Sequence, residues 1–440
     1  MKTEYPQDNL LSRAFACLVG AAICSASAPL GAQWNQWGGP NRNFVVDAKG
    51  LAEKWPEGGP KKLWSRELGD GFSTIAVDDG KLFTLYRVGD DEFTVCLDAK
   101  TGATVWEVKN HSPFTSEMAE FGPGPHSTPL VMGDKVFSIG TNMVMHCLNK
   151  ADGRVLWKHD LAKEYGAEVP GRGYSASPIA YKDMIIVPVG WKKPESPKEK
   201  DASATDTTEP ANPRQALMAF RQSDGSVTWK NQEFEITHSS PILIQLDGED
   251  QLVVFMTKEI AGINPNNGEL LWTHPHATMY GANIATPLWA GDDLIFVSAA
   301  YDSGARVVQL AKDGGKIKPK ELWFSKKMRI HHGNVVRIGD YVYGSSGDFG
   351  PAFFMGVNVK TGDIAWRERA LAKATCLYAD GKLIILDEDG QLALARASPE
   401  KFTILSKAEV AHRTAWAAPT LAGKTLYVRD RKNIMAFDLG

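Results

Sequence analysis

Cysteine is scarce in this 440-residue chain, five in all, and no Cys-x-x-Cys pair occurs anywhere. That removes zinc-ribbon, thioredoxin-like and c-type haem readings, each of which needs two thiols at short spacing. An excess of one charge is lacking too: Lys+Arg total 49 against 52 Asp+Glu, a net charge of −3, so nothing favours nucleic acid or an acidic membrane surface. No stretch carries the 3.6-residue apolar period of a helical solenoid. Gly-x-Ser-x-Gly, His-Glu-x-x-His and Gly-x-x-x-x-Gly-Lys-Ser/Thr are all missing, so hydrolase-elbow, zincin and P-loop chemistry have no anchor. The stretch Gly171–Ala176 fits Gly-x-Gly-x-x-Ala, yet it leads into a strand and lacks the helix N-terminus that would bind phosphate. In His274-Pro-His276 the proline marks a loop with no carboxylate close in sequence, so no metal is expected there.

What is abundant is tryptophan, 13 residues, and glycine, 41, in a chain that is 43% hydrophobic and can bury a large core. Residues 1–32 read as an export signal: Lys2 and Arg13 lead an apolar run from Ala14 to Ala28, followed by Leu-Gly-Ala. That run is too short for the roughly 20 residues that span a bilayer. Ile23 before Cys24 does not suit a lipoprotein anchor, so a soluble exported protein, periplasmic or in the cell envelope or secreted, is expected, with no transmembrane segment in the mature chain. The mature chain keeps Cys96, Cys147 and Cys376, and the first two hold equivalent repeat positions as small core residues.

The repeat is an eleven-residue frame: CLDAKTGATVW to Trp106, CLNKADGRVLW to Trp157, AFRQSDGSVTW to Trp229, GINPNNGELLW to Trp272 and GVNVKTGDIAW to Trp366. Gly stands four residues before each Trp, marking a strand, a tight turn and a strand. A copy ending at Trp323 has an expanded turn, and KFTILSK near residue 405 is a degenerate copy without Trp. Two further strands precede each frame, the first opening on Ser/Thr/Ala-Pro, as in HSTPLVM, YSASPIAY, HSSPILI, NIATPLWA and WAAPTLA. Proline there suits an edge strand facing a central channel. Four short strands per unit predict an all-β, eight-bladed β-propeller of four-stranded antiparallel blades over residues 33–440. The last unit has three strands, and KKLWSREL with Trp64 supplies the fourth, closing the ring from the N-terminal side. Residues 192–213, rich in Pro, Lys, Glu, Ser and Thr, are expected to be a disordered insertion in blade three.

The repeated D-x-x-T-G-x-x-x-W type frame resembles the pyrroloquinoline-quinone-like (PQQ-like) repeat propellers. The stretches WNQWGGPNRN and LAEKWPEGGPKKLW resemble the start of exported bacterial members. The resemblance implies two activities: a non-catalytic binding or assembly scaffold, which is the expectation adopted, or a dehydrogenase of an alcohol or sugar using PQQ with Ca²⁺. In the family's alcohol dehydrogenases the quinone lid is a disulfide between adjacent cysteines, and this chain has no Cys-Cys pair.

One face of the ring should gather the residues at or just before inner strands: His126, Arg172, Tyr174, His238, Asn283, His331, His332, Arg413 and Trp416. Asp302 and Asp348, in loops between second and third strands, approach the same mouth. Side chains of these types at a concave mouth form a candidate binding site for a protein or small molecule, with no catalytic or metal-ligating residue assigned. In an extended chain only one of His331 and His332 faces the channel. The repeated Trp residues are expected to pack between blades, and a monomer is expected.

Overall fold

Eight sheets succeed one another along the chain, each built from short strands joined by tight turns; the computed structural model describes residues 34–190 and 215–440. The expected signal and the blade-three insertion lie outside the described residues. Inner strands begin at Ala76, Leu130, Ile179, Ile242, Leu288, Val335, Ala374 and Thr420, and each hairpins outward through antiparallel neighbours. Blade eight has three strands of its own. Its outer strand is Lys61–Glu67, antiparallel to Asn433–Asp438, so the ring is closed from the N-terminal side as expected. Only one α-helix, Leu161–Tyr165, occurs among the described residues, and none of their helices is long and apolar enough to cross a membrane.

The tryptophan frame has a physical reason beyond turn formation. Each indole lies over the third-to-fourth-strand turn of the next blade and donates Nε1–H to a carbonyl there: Trp64 to Ala99, Trp106 to Lys150, Trp157 to Gln222, Trp229 to Pro265, Trp323 to Val359 and Trp366 to Ser398. The frame glycine is therefore doubly constrained. Gly225 has φ +75°, and a Cβ on it would stand 2.7 Å from the Trp157 ring. Blade five has its third and fourth strands lengthened to Asp313 and Lys316, which carries the turn away; Trp272 instead donates to Gln251 Oε1 of its own blade. Blade seven has no frame Trp because blade eight has no such turn to receive it, its two outermost strands coming from opposite ends of the chain. The register position that holds Trp106 in blade one holds Ser406 in blade seven, where its Oγ accepts the Trp55 N–H at 2.9 Å.

These contacts separate two glycines of similar backbone. Gly225→Ala is expected to cost about 3 kcal/mol, from the left-handed φ plus the clash. Gly248, at φ +79° with nothing within 4 Å of its Cβ position, should cost only about 1 kcal/mol on the same change. Urea unfolding of the two variants checks this, and equal losses would mean that the indole cover contributes nothing.

The Ser/Thr-Pro motif is likewise explained by contact between blades. The hydroxyl before proline accepts the inner-edge N–H of the preceding blade: Thr128 N donates to Ser177 Oγ at 3.0 Å, and Ser177 N to Ser240 Oγ at 2.9 Å. Across the seam, the buried Arg429 of blade eight donates to Ser73 O, Leu85 O and Thr84 Oγ1 of blade one.

The channel itself is crossed by residues 34–46. Trp34 bridges Val77 of blade one, and Val131 of blade two donates to Asn35 O at 2.8 Å. Arg42 is buried and donates to Pro178 O and Ser177 O of blade three at 3.0 and 3.3 Å. The Trp37 indole donates to Thr286 Oγ1 of blade five at 2.8 Å, and Val45–Val46 pair in parallel with the inner strand of blade seven. A segment bonded to the inner strands of five blades must span the channel, so it acts as a plug. Its turn needs Gly38: φ is +74°, and a Cβ there would meet the Arg42 backbone at 2.9 Å.

Candidate functional site

Above the plug a cavity of about 400 Å³ opens on one face, walled by the segments leading into the inner strands and by loops between second and third strands. Trp37 belongs to its lining, so the mouth ends blind on the plug. One wall is aromatic. Phe72 stacks on His126 with ring centroids 5.4 Å apart and meets Trp416 at 5.1 Å; Trp416 in turn meets Phe121 at 5.1 Å and His332 at 4.8 Å. His331 lies 5.2 Å from His332, and its Nε2 is 2.7 Å from Tyr301 Oη. Tyr301 takes φ +56°, a strained conformation for a tyrosine, held by its N–H to Asp348 Oδ2 at 3.1 Å.

The charges at the mouth are largely neutralised among themselves. Glu388 Oε2 accepts the Trp416 Nε1–H at 3.1 Å and lies 3.6 Å from Lys373 Nζ and 3.7 Å from His332 Nε2. Burial works to raise the Glu388 carboxyl, but His332, Trp416 and Lys373 outweigh it and hold the group down at about 2. Asp348 faces Arg329 at 3.3 Å, and Arg413 faces Asp389 at 3.6 Å.

Burial lowers the mouth histidines, His126 and His238 to about 4 and His331 to about 3, with His332 lowered as well. The folded chain therefore keeps them neutral where an unfolded one, with imidazoles near the usual 6.5, takes up protons. Their contribution to stability is whole above about pH 6.5 and is lost as pH falls toward about 4. A melting temperature that declines across that window, with a shallower decline in His238→Gln, is the expected result; a flat profile down to pH 4.5 would contradict buried neutral imidazoles.

Of the residues expected at the mouth, His126, Arg172, His238, His331, His332, Asp348, Arg413 and Trp416 line the cavity. Tyr174 and Asn283 do not. Tyr174 is buried in the blades and donates its hydroxyl to Pro188 O, and the Asn283 amide is spent on Met256 O and His276 O. Both side chains turn away because their backbone is still in the segment that packs between blades. Asp302 is exposed on the rim, accepting from Arg329 at 2.8 Å. The expectation that only one of His331 and His332 faces the channel is corrected: the chain bends at both residues, so the strand alternation does not apply and both line the cavity. Phe72, Phe121, Lys373, Glu388 and Trp37 were not anticipated. Glu388 follows a second strand as Asp348 does, and that shared position was the available signal.

A family model described as outer membrane protein assembly factor BamB matches residues 47–189 and 90–368. The chain belongs to this family of PQQ-like repeat propellers. Among solved structures, BamB from Moraxella catarrhalis is 14% identical with a TM-score of 0.60, over 86% of this chain and 99% of that one. Quinohemoprotein alcohol dehydrogenase from Comamonas testosteroni is 12% identical with a TM-score of 0.63, over 94% of this chain and 82% of that one. A computationally designed protein, Ika8, is 10% identical with a TM-score of 0.56. At such identities the likeness concerns the fold alone. No curated protein matches the chain.

Proposed function

We propose that this PQQ-like propeller is an exported binding or assembly scaffold, with the blind mouth as its recognition site and no catalysis of its own. The observation that carries this reading is the state of the two enclosed carboxylates of the cavity, Glu388 and Asp348, the third, Glu120, being exposed at its edge. A dehydrogenase of the family's kind needs a carboxylate free to accept the alcohol proton and others to hold a cation. Glu388 and Asp348 are instead each engaged by cations and N–H donors. No group of three or more His, Cys, Asp or Glu able to hold a metal occurs among the described residues. Cys96, Cys147 and Cys376 are buried single thiols, so no disulfide lid can form over the mouth from them. The residues present thus do not fit PQQ held by Ca²⁺ in that manner, and no step is derived through it.

Aromatic groups on the mouth face support a binding role: Phe349 on the rim is 80% exposed, and Tyr280, 5.0 Å from Tyr301, is 57% exposed. Apolar rings left in water around a concave site mark recognition surfaces. The test is a dye-linked oxidation assay on purified protein supplied with PQQ, Ca²⁺ and a panel of alcohols and sugars. No turnover above a quinone-only blank is expected; stoichiometric quinone binding with turnover would replace this reading by the dehydrogenase one.

A further inference from the structure

We infer that the Arg172 guanidinium forms an oxyanion subsite, so that the mouth takes a ligand with a carboxylate or phosphoryl group at one end and a flat apolar body at the other. This deepens the reading of the mouth as the binding site and rests on it. Three cations line the cavity: Lys373 and Arg413 each face a carboxylate, at 3.6 Å in both cases, whereas the Arg172 guanidinium has no partner among the described residues. An unneutralised guanidinium beside a water-poor wall presents a planar fork of donors that matches a carboxylate or phosphoryl group.

His238 stands beside it. Its Nδ1 is 2.8 Å from Ser175 Oγ. The Ser175 hydroxyl donates to Gly173 O at 3.3 Å, so the imidazole Nδ1–H donates to Ser175 Oγ and Nε2 is left as an acceptor; the donors to the anion come from the guanidinium, and His238 fixes the wall beside it. The subsite ends where the aromatic wall begins: His126 Nε2 donates to the Arg172 carbonyl at 3.1 Å, and the same imidazole stacks on Phe72, which leads to Trp416. An oxyanion at Arg172 therefore sets an attached ring against Phe72 and Trp416. The Trp37 floor limits the ligand to one that enters and leaves by the same opening.

The experiment uses benzoate, phenyl phosphate and the neutral benzamide as probes, titrated against the whole protein by calorimetry and by quenching of tryptophan fluorescence. At least one anion should bind tenfold or more tightly than benzamide, and whichever of the two is tighter tells a carboxylate from a phosphoryl ligand. Arg172→Gln should abolish that preference while leaving the melting temperature and the benzamide affinity unchanged, and Arg172→Lys should restore it in part. Benzamide binding as tightly as both anions, no measurable binding of any probe, or an R172Q variant that keeps the preference would overturn the subsite. Failure of the mouth reading itself looks different: all three probes would then keep their affinities in Trp416→Leu and Phe72→Ala.

Discussion

A chain shortened to begin at Leu68 is expected to lose its cooperative fold. It forfeits the outer strand Lys61–Glu67, whose register runs from Lys61 opposite Asp438 to Glu67 opposite Asn433. It also loses the Trp64 indole that lies over Gly102 of blade one, and the Arg66 guanidinium that donates to Gly102 O and Thr104 Oγ1. Blade eight then ends on an unpaired edge at the one point where the ring has no covalent continuity, and open edges of this kind recruit other chains. In a propeller each blade is stabilised by its neighbours, so a seam that opens exposes two blade faces together. The loss should exceed about 5 kcal/mol, within the range of a domain's whole net stability. Aggregation in size-exclusion chromatography and the absence of a sharp thermal transition are the expected readouts. A monomer melting within a few degrees of the full chain would show that the seam holds without the N-terminal strand, through ties to blade one such as those of Arg429, Thr420 and Tyr427.

Arg42→Ala should produce the second large effect, by releasing the plug. Burial holds this guanidinium's pKa down, to about 9, which shows how costly its position is. What retains the side chain is its bonding to Ser177 O, Pro178 O and Gln36 Oε1. Truncation leaves two inner-strand carbonyls dry and a void where the side chain stood, at a cost of about 3 kcal/mol. The ring does not depend on the plug for its ladders, so the loss should be local. Amide exchange should accelerate at Val45 and Val46, and at Val131, whose N–H the plug accepts, while the outer strands keep their protection. The floor under the mouth would loosen with Trp37, and affinity for the benzoate and phenyl phosphate probes should fall with it. Uniform loss of protection around the ring would show instead that the plug is part of the global core.

How much of this was legible beforehand depended on whether a feature repeats. The frame ending in Trp recurs, each copy is a local hairpin, and its period reports the blade; the count of eight and the closing strand followed from that. The seven frame tryptophans do pack between blades, as expected. The mouth was legible to the extent that it follows from strand order: residues before inner strands such as His126, His238 and Trp416 reached it because the topology places all such positions on one face. Tyr174 and Asn283 occupy the same kind of position in the chain and still turn inward, a choice made by neighbouring blades. Glu388 and Lys373 lie fifteen residues apart at the open end of blade seven's inner hairpin, where the strand register sets them opposite each other; what the local sequence does not announce is that His332 and Trp416, from other blades, meet the same carboxylate.

By itself the amino-acid sequence determined the architecture, since a hairpin with a glycine turn needs only local residues to be recognised, and repetition multiplied a weak signal. Tertiary structure alone decided that the channel is plugged, that the frame glycines of every blade with a short turn lie under the preceding blade's indole, and that Arg172 has no counter-charge among the described residues. Those features pair residues as far apart as Trp37 and Thr286, and no periodicity relates the two; only the closed ring brings them within reach.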